Sequence, residues 1–201
     1  MMSATGTSRS GALAQLPTTF TYGQARTAGL TKHALYQLRD TDQLELLGRG
    51  LYRRTNAPLA DAGLIAIATK ASRATLCLAT ALAHHGLSDA IPAASDIALP
   101  RGTRLPSTYA IAQWHYFDTA TFDVGRTLLP LDPTTSIGLY SAERSIIDAF
   151  RTRGTEGYEL GNEALKRWLR QRGNQPAQLL TLATAWPRTG TALRRALEIL
   201  L

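Results

Sequence analysis

Apolar residues recur along positions 11–55 first with helical and then with strand spacing. Leu13 and Leu16 give a short pattern that Pro17 stops. In the run 21–30, Thr21 is placed to cap a helix, with Gln24 three residues on as in a capping box. Ala25 and Ala28 are small enough to lie close to a neighbouring helix, and Gly29 supplies the left-handed turn that ends one. Leu30 then points back into a small core. Thr31 predicts the cap of a second helix over 32–39, with Leu35 and Leu38 on one face. Leu44 and Leu46 are spaced as on one face of a strand. Gly48-Arg49-Gly50 predicts a tight hairpin turn, and Leu51-Tyr52 the returning strand. Two short helices joined by a glycine turn and followed at once by a hairpin form the plan of a winged helix-turn-helix, predicted over 11–57.

Past a short linker at 56–58, residues 59–70 and 75–86 read as Ala-rich helices, apolar nearly all round and so well buried. Strands are predicted over 96–100, 109–117, 126–131 and 136–140, with a turn at Asp132-Pro133. Ser141 caps a helix over 142–153 whose apolar face holds Ile146, Ile147 and Phe150. Helices over 158–172, 176–185 and 189–200 follow. The predicted class is α+β: a winged helix-turn-helix, then a mixed α/β domain over 58–201 with a helical tail. Residues 1–10, rich in Ser, Thr and Gly and lacking the apolar segment of a signal peptide, read as a disordered lead, which points to the cytoplasm. The longest apolar runs fall far short of the ~20 residues that span a bilayer, so no membrane partner is expected.

Charge sharpens this picture. The 201 residues carry a net charge of +7. Residues 1–57 hold 7 basic and 3 acidic side chains, residues 58–150 hold 6 and 8, and residues 151–201 hold 9 and 4. Two basic regions thus flank a near-neutral centre, as an anionic partner would favour. The second helix of a helix-turn-helix enters the major groove. With Leu35 and Leu38 inward, Lys32, His33, Tyr36, Gln37 and Arg39 face outward, and Thr31 stands at the helix start. Gln pairs bidentately with adenine, and Lys or Arg with guanine. Arg49 at the hairpin tip, with Arg53 and Arg54 on the returning strand, reads as a phosphate or minor-groove contact. Thr21, Tyr22 and Gln24 are placed to hold a phosphate through backbone N–H groups and hydroxyls. Asp40 and Asp42 run against this basic character.

The run TYGQARTAGLTKHALYQLRDTDQLELLGRGLYRR resembles the N-terminal domain of the AbiEi family of bacterial antitoxins and transcriptional autoregulators. ATLCLATALAHHGL, IALPRGTRLP, IGLYSAERSIIDAFRTRG and EALKRWLRQRG resemble the family's C-terminal antitoxin domain, so the resemblance spans about residues 12–185. It implies a repressor that binds repeats in its own promoter and counters a nucleotidyltransferase-like toxin, by direct contact or by acting without stable toxin binding.

Other polar groups carry two readings each. Arg101 and Arg104 form a basic loop between Pro100 and Pro106, a solvated turn or part of a partner surface. Glu143, Arg144 and Asp148 form a polar surface or local helix pairs. Lys166, Arg167, Arg170 and Arg172 line one helix as a solvated face or a second electrostatic patch. Adjacent His84 and His85 point about 100° apart on a helix and chelate poorly, so packing is expected. Asp118 and Asp123 sit in a Thr-rich loop and read as turn formers. The lone Cys77 excludes an intrachain disulfide and reads as a small core residue. No nucleotide-loop, nucleophile-elbow or kinase signature occurs, and no catalytic residue, metal or cofactor is expected. Two alternatives stay open: an enzyme of nuclease or transferase type targeted by the winged helix, and a protein-interaction module without autoregulation.

Overall fold

The computed structural model describes residues 10–56, 61–106, 111–152 and 155–201. The lead at 1–9, the end of the 56–58 linker, the first residues of the helix expected at 59 and of the strand expected at 109, and Arg153 lie outside them. The fold is mixed α/β with two sheets. The chain divides into two compact units, the first running to Ser72 and the second built on Arg73–Arg104, Ile111–Leu128 and Gly138–Leu201, with residues 129–137 grouping with the first.

In the first unit a helical turn at 10–14 precedes β1 (Thr19–Thr21), α1 (Tyr22–Thr27), α2 (Lys32–Asp40), β2 (Leu44–Gly48), β3 (Leu51–Arg54) and α3 (Ala62–Lys70). The antiparallel sheet has the order β1-β3-β2, with Phe20 opposite Tyr52 and Leu46 opposite Tyr52 on the other side. The expected helix ends are met atom for atom. Thr21 and Gln24 form a reciprocal capping box, and the Thr31 hydroxyl accepts from Ala34 N–H at 3.1 Å. Gly29, at φ 89°, lets Leu30 N–H reach Ala25 O and its own N–H reach Arg26 O, so α1 ends in a Schellman motif. α2 ends in the same way with Asp42, at φ 53°, in the glycine position: Gln43 N–H donates to Leu38 O and Asp42 N–H to Arg39 O. Short polar side chains tolerate this conformation better than others do, so Asp42 acts as the stop of α2.

The core beneath these elements joins Leu16, Phe20, Leu30, Leu35, Leu44 and Tyr52 with Ala25 and Ala34. Each large apolar side chain so buried is worth roughly 1.5–3 kcal/mol. β1 was not expected; it fills the gap between Pro17 and the Thr21 cap and makes β3 the central strand. Leu46, expected on the same strand face as Leu44, lies beside a bulge between Leu46 and Gly48 and stays 49% exposed while Leu44 is buried. The unit also extends past the boundary expected at 57, because α3 packs on β2 and Lys70 Nζ donates to Arg49 O at 3.1 Å.

The second unit contains β4 (Thr75–Leu76), α4 (Leu78–His84), β5 (Ser95–Pro100), β6 (Ala112–Phe117), the greater part of β7 (Arg126–Pro130) and of β8 (Ser136–Tyr140), α5 (Ala142–Arg151), α6 (Thr155–Arg170), α7 (Pro176–Ala183) and α8 (Pro187–Leu200). Its sheet runs β6-β5-β4-β8-β7, with β4 antiparallel to β5 and parallel to β8, and β5 parallel to β6. The helix expected over 75–86 is therefore corrected. Thr75 and Leu76 are the middle strand of the sheet, hydrogen-bonded on both sides, and the helix starts only at Leu78, which turns the chain at φ 44°. Ile146, Ile147, Leu165, Trp168, Leu179 and Leu193 from α5–α8 close over Leu82 and Leu87 as the main core. Cys77 is fully buried beside Phe122 and Tyr140, and burial pushes its thiol pKa well up. No helix of the described residues is long and apolar enough to cross a membrane.

Candidate nucleic-acid interface

The outward face of α2 carries every side chain expected there. Ala34 and Leu35 are buried and Leu38 is half-buried, while Lys32, His33, Tyr36, Gln37 and Arg39 are exposed. Lys32 Nζ lies 5.6 Å and Arg39 Cζ 5.1 Å from the Tyr36 ring centroid, so the ring holds two cations by its electron-rich face. The Asp40 carboxylate accepts from Arg39 Nη2 at 2.7 Å and from Nε at 3.0 Å. This hydrogen bond and charge raise the Arg39 pKa further. Asp40 thus cancels one cation of the face, and Asp42 is spent on ending the helix. The two acidic residues that ran against the basic pattern have structural reasons to be there.

The β2–β3 turn puts Arg49 at an exposed tip, with Gly50 at φ 68°. Lys70, donating to the Arg49 carbonyl, adds a cation at that tip which sequence reading missed. Its signal was weak, since it ends a different helix.

Two other groups of expected contacts are placed differently. Arg53 is only 6% exposed and its Nη1 lies 3.1 Å from Glu45 Oε1, because β3 is the central strand and its side chains are covered from both neighbours. Arg54 Nη2 donates to the carbonyls of Leu16, at 2.6 Å, and Leu13, tying the 10–14 turn to the sheet. Both are corrected from phosphate contacts to structural cations. The start of α1 likewise lacks the donors expected of it. Tyr22 N–H goes to Gly50 O at 2.8 Å, Thr21 N–H to Gln24 Oε1 at 2.7 Å and Gln24 N–H to Thr21 Oγ1 at 3.2 Å. Thr21 and Gln24 therefore orient α1 with backbone and side chain alike, and the exposed Tyr22 side chain is the group of the three best able to meet a phosphate.

In the second unit, of the two readings of Glu143, Arg144 and Asp148, a polar surface or local helix pairs, the second holds for Arg144 and Asp148, which pair i to i+4. Arg144 and Asp148 are buried. Arg144 Nε donates to Asp148 Oδ2 at 2.8 Å, and its Nη1 to the carbonyls of Thr121 and Val124. Glu143 accepts from the indole of Trp168 at 3.3 Å. Arg167 is tied to Asp89 and Glu163, leaving Lys166 and Arg170 as the exposed cations of α6. Arg101 and Arg104 are exposed on their loop. His85 Nε2 lies 2.8 Å from Tyr140 O, and burial followed by the neighbouring His85 lowers the His84 pKa. Asp118 accepts from Ala120 N–H in a turn, and Asp123 pairs with Arg73 at 2.9 Å. Among the described residues no group of three or more His, Cys, Asp or Glu side chains is placed to hold a metal ion.

No family model matches the chain, and none of the curated proteins compared with it matches either.

Proposed function

We propose that the first unit is a winged helix-turn-helix that binds duplex DNA, with α2 as the recognition helix in the major groove and the β2–β3 hairpin as the wing. The observation that carries this reading is the α2 face, where five side chains able to reach bases or phosphates stand outward over a packed core. Its support is the layout around that face: two capped helices inserted between β1 and β2, and a hairpin whose tip carries Arg49 beside Lys70. Gln37 and Lys32 are the base readers, and Arg49 and Lys70 the backbone cations. By its resemblance to the AbiEi family, the whole protein acts as an antitoxin that represses its own promoter and counters a nucleotidyltransferase-like toxin.

Fluorescence anisotropy with DNA from the region upstream of its own reading frame tests this. Two phosphate-facing cations per bound copy, Arg49 and Lys70, give a slope of log affinity against log salt of roughly −2. Replacing Lys32, Gln37 and Arg49 together by Ala abolishes the footprint; an unchanged footprint refutes the reading. Full-length protein carrying these three changes still rescues cells from the co-expressed toxin if the antitoxin role belongs to the second unit.

A further inference from the structure

A cavity of about 550 Å³ opens in the second unit where the end of α5 meets the start of α8. Phe150, Trp186 and Pro187 form its apolar walls, and Arg151, Arg188 and Thr189 its polar ones. This volume lies in the range of small-molecule sites, which pair apolar walls with a few placed polar groups.

Positive charge gathers at the cavity: Arg151 and Arg188 line it, and the buried Arg144 lies against its Trp186. Arg151 Cζ lies 5.1 Å and Arg144 Cζ 4.2 Å from the Trp186 ring, so both guanidiniums stack against one indole. They share a single carboxylate, that of Asp148. Burial pushes the Asp148 pKa up, and the charges and hydrogen bonds of both arginines pull against it. Arg144 Nη2 is buried without a hydrogen-bond partner. Arg188 adds a third guanidinium at the exposed rim. Pro187 starts α8 without a side-chain cap. Nothing in the DNA-binding reading uses these residues.

We infer that this cavity binds a small organic anion with a planar ring and a phosphomonoester, of nucleoside-monophosphate size. The ring lies against Phe150 and Trp186, and the phosphate takes the fork donors of Arg188 and the Arg151 donors other than Nη1, which Asp148 holds. Arginine suits this task because its planar donors match phosphate bidentately.

Isothermal titration calorimetry of the full chain with adenosine, guanosine, cytidine and uridine monophosphates tests the assignment. At least one of them binds at a single site, and the matching nucleoside and inorganic phosphate each bind about tenfold more weakly or less. Arg188→Glu, an exposed position, weakens binding by about tenfold or more, and Arg188→Lys recovers part of the loss. Ala192→Phe, which fills the cavity without changing charge, abolishes binding, while both variants keep the wild-type circular dichroism spectrum. The Lys32, Gln37 and Arg49 triple replacement binds the nucleotide normally. Four silent nucleotides at millimolar concentration overturn the inference. So does wild-type affinity in Arg188→Glu or Ala192→Phe, or loss of binding in the α2 triple variant, which would put the ligand on α2. Binding of an acidic peptide alone also overturns it.

Discussion

Asp148→Ala removes the carboxylate bonded to Arg144 and leaves that guanidinium inside the second unit. Arg144 is fully buried between Tyr140 and Trp186, each ring centroid 4.2 Å from its Cζ. It keeps two carbonyl acceptors, Thr121 O at 2.8 Å and Val124 O at 2.6 Å. Those dipoles offset part of a buried charge, not all of it. Breaking a buried pair from one side costs about 3–5 kcal/mol, so Asp148→Ala is expected at the lower end. Arg144→Met fills the slot between the rings but strands two carbonyls, each worth roughly 1–3 kcal/mol; Asp148 keeps Arg151 at 2.5 Å. The double variant Arg144→Met, Asp148→Leu has no charge left to strand between these two residues. Its loss should fall about 2 kcal/mol short of the sum of the singles. Urea unfolding followed by tryptophan fluorescence reads this unit selectively, since Trp114, Trp168 and Trp186 are the chain's three tryptophans and all belong to it. Single losses that add to within about 0.5 kcal/mol would show two uncoupled residues and refute the argument.

Three further outcomes are expected. Arg49→Ala weakens DNA binding evenly across sequences and reduces the salt slope by about 1, whereas Arg54→Ala leaves the slope alone and lowers first-unit stability by roughly 1–3 kcal/mol, read by salt titrations and by circular dichroism melts. Burial works to raise the Asp132 pKa, but hydrogen bonds from Thr134 and Thr135 outweigh it and hold the carboxyl below its ordinary value. The stabilisation of that turn is therefore full above the ordinary carboxylate range and lost as pH falls through the lowered value. The excess amide exchange at Thr134 and Thr135 in Asp132→Ala should be clear at neutral pH and fade in acid. Gly138→Ala sets a methyl 2.6 Å from Arg126 Nη2 and against the Thr75 hydroxyl, so Arg126 must leave the bond its Nε makes to Thr75 at 2.8 Å. A loss of about 1–3 kcal/mol is expected in urea unfolding, and no loss would mean that Arg126 swings aside freely.

What could be read from sequence was local chemistry. Thr21, Gln24, Gly29 and Thr31 act within three or four residues of themselves, and each does what its side chain predicts. The outward side of α2 followed from placing Leu35 inside. What escaped needed partners far along the chain. Thr75-Leu76 is too short for a period and becomes a strand only because β5 and β8 come to flank it. Arg53 and Arg54 were basic residues at the end of a hairpin until β1, pairing with β3, made that strand central. Arg144 and Asp148, four apart on α5, gave no sign of being inside, because a charged pair looks alike on a wet face and in a core.

The brevity of β4 bears on how the molecule comes to fold. Its two residues bridge Ile97 and Ala98 on one side and Gly138 and Leu139 on the other, so the sheet has no middle until both distant strands have arrived. The chain between them must be closed into a loop before any bond rewards it, which makes assembly of this sheet a late and slow event. The elements of the first unit up to Ser72 leave synthesis before the second unit's last strands, so they can form while the second is still waiting for them.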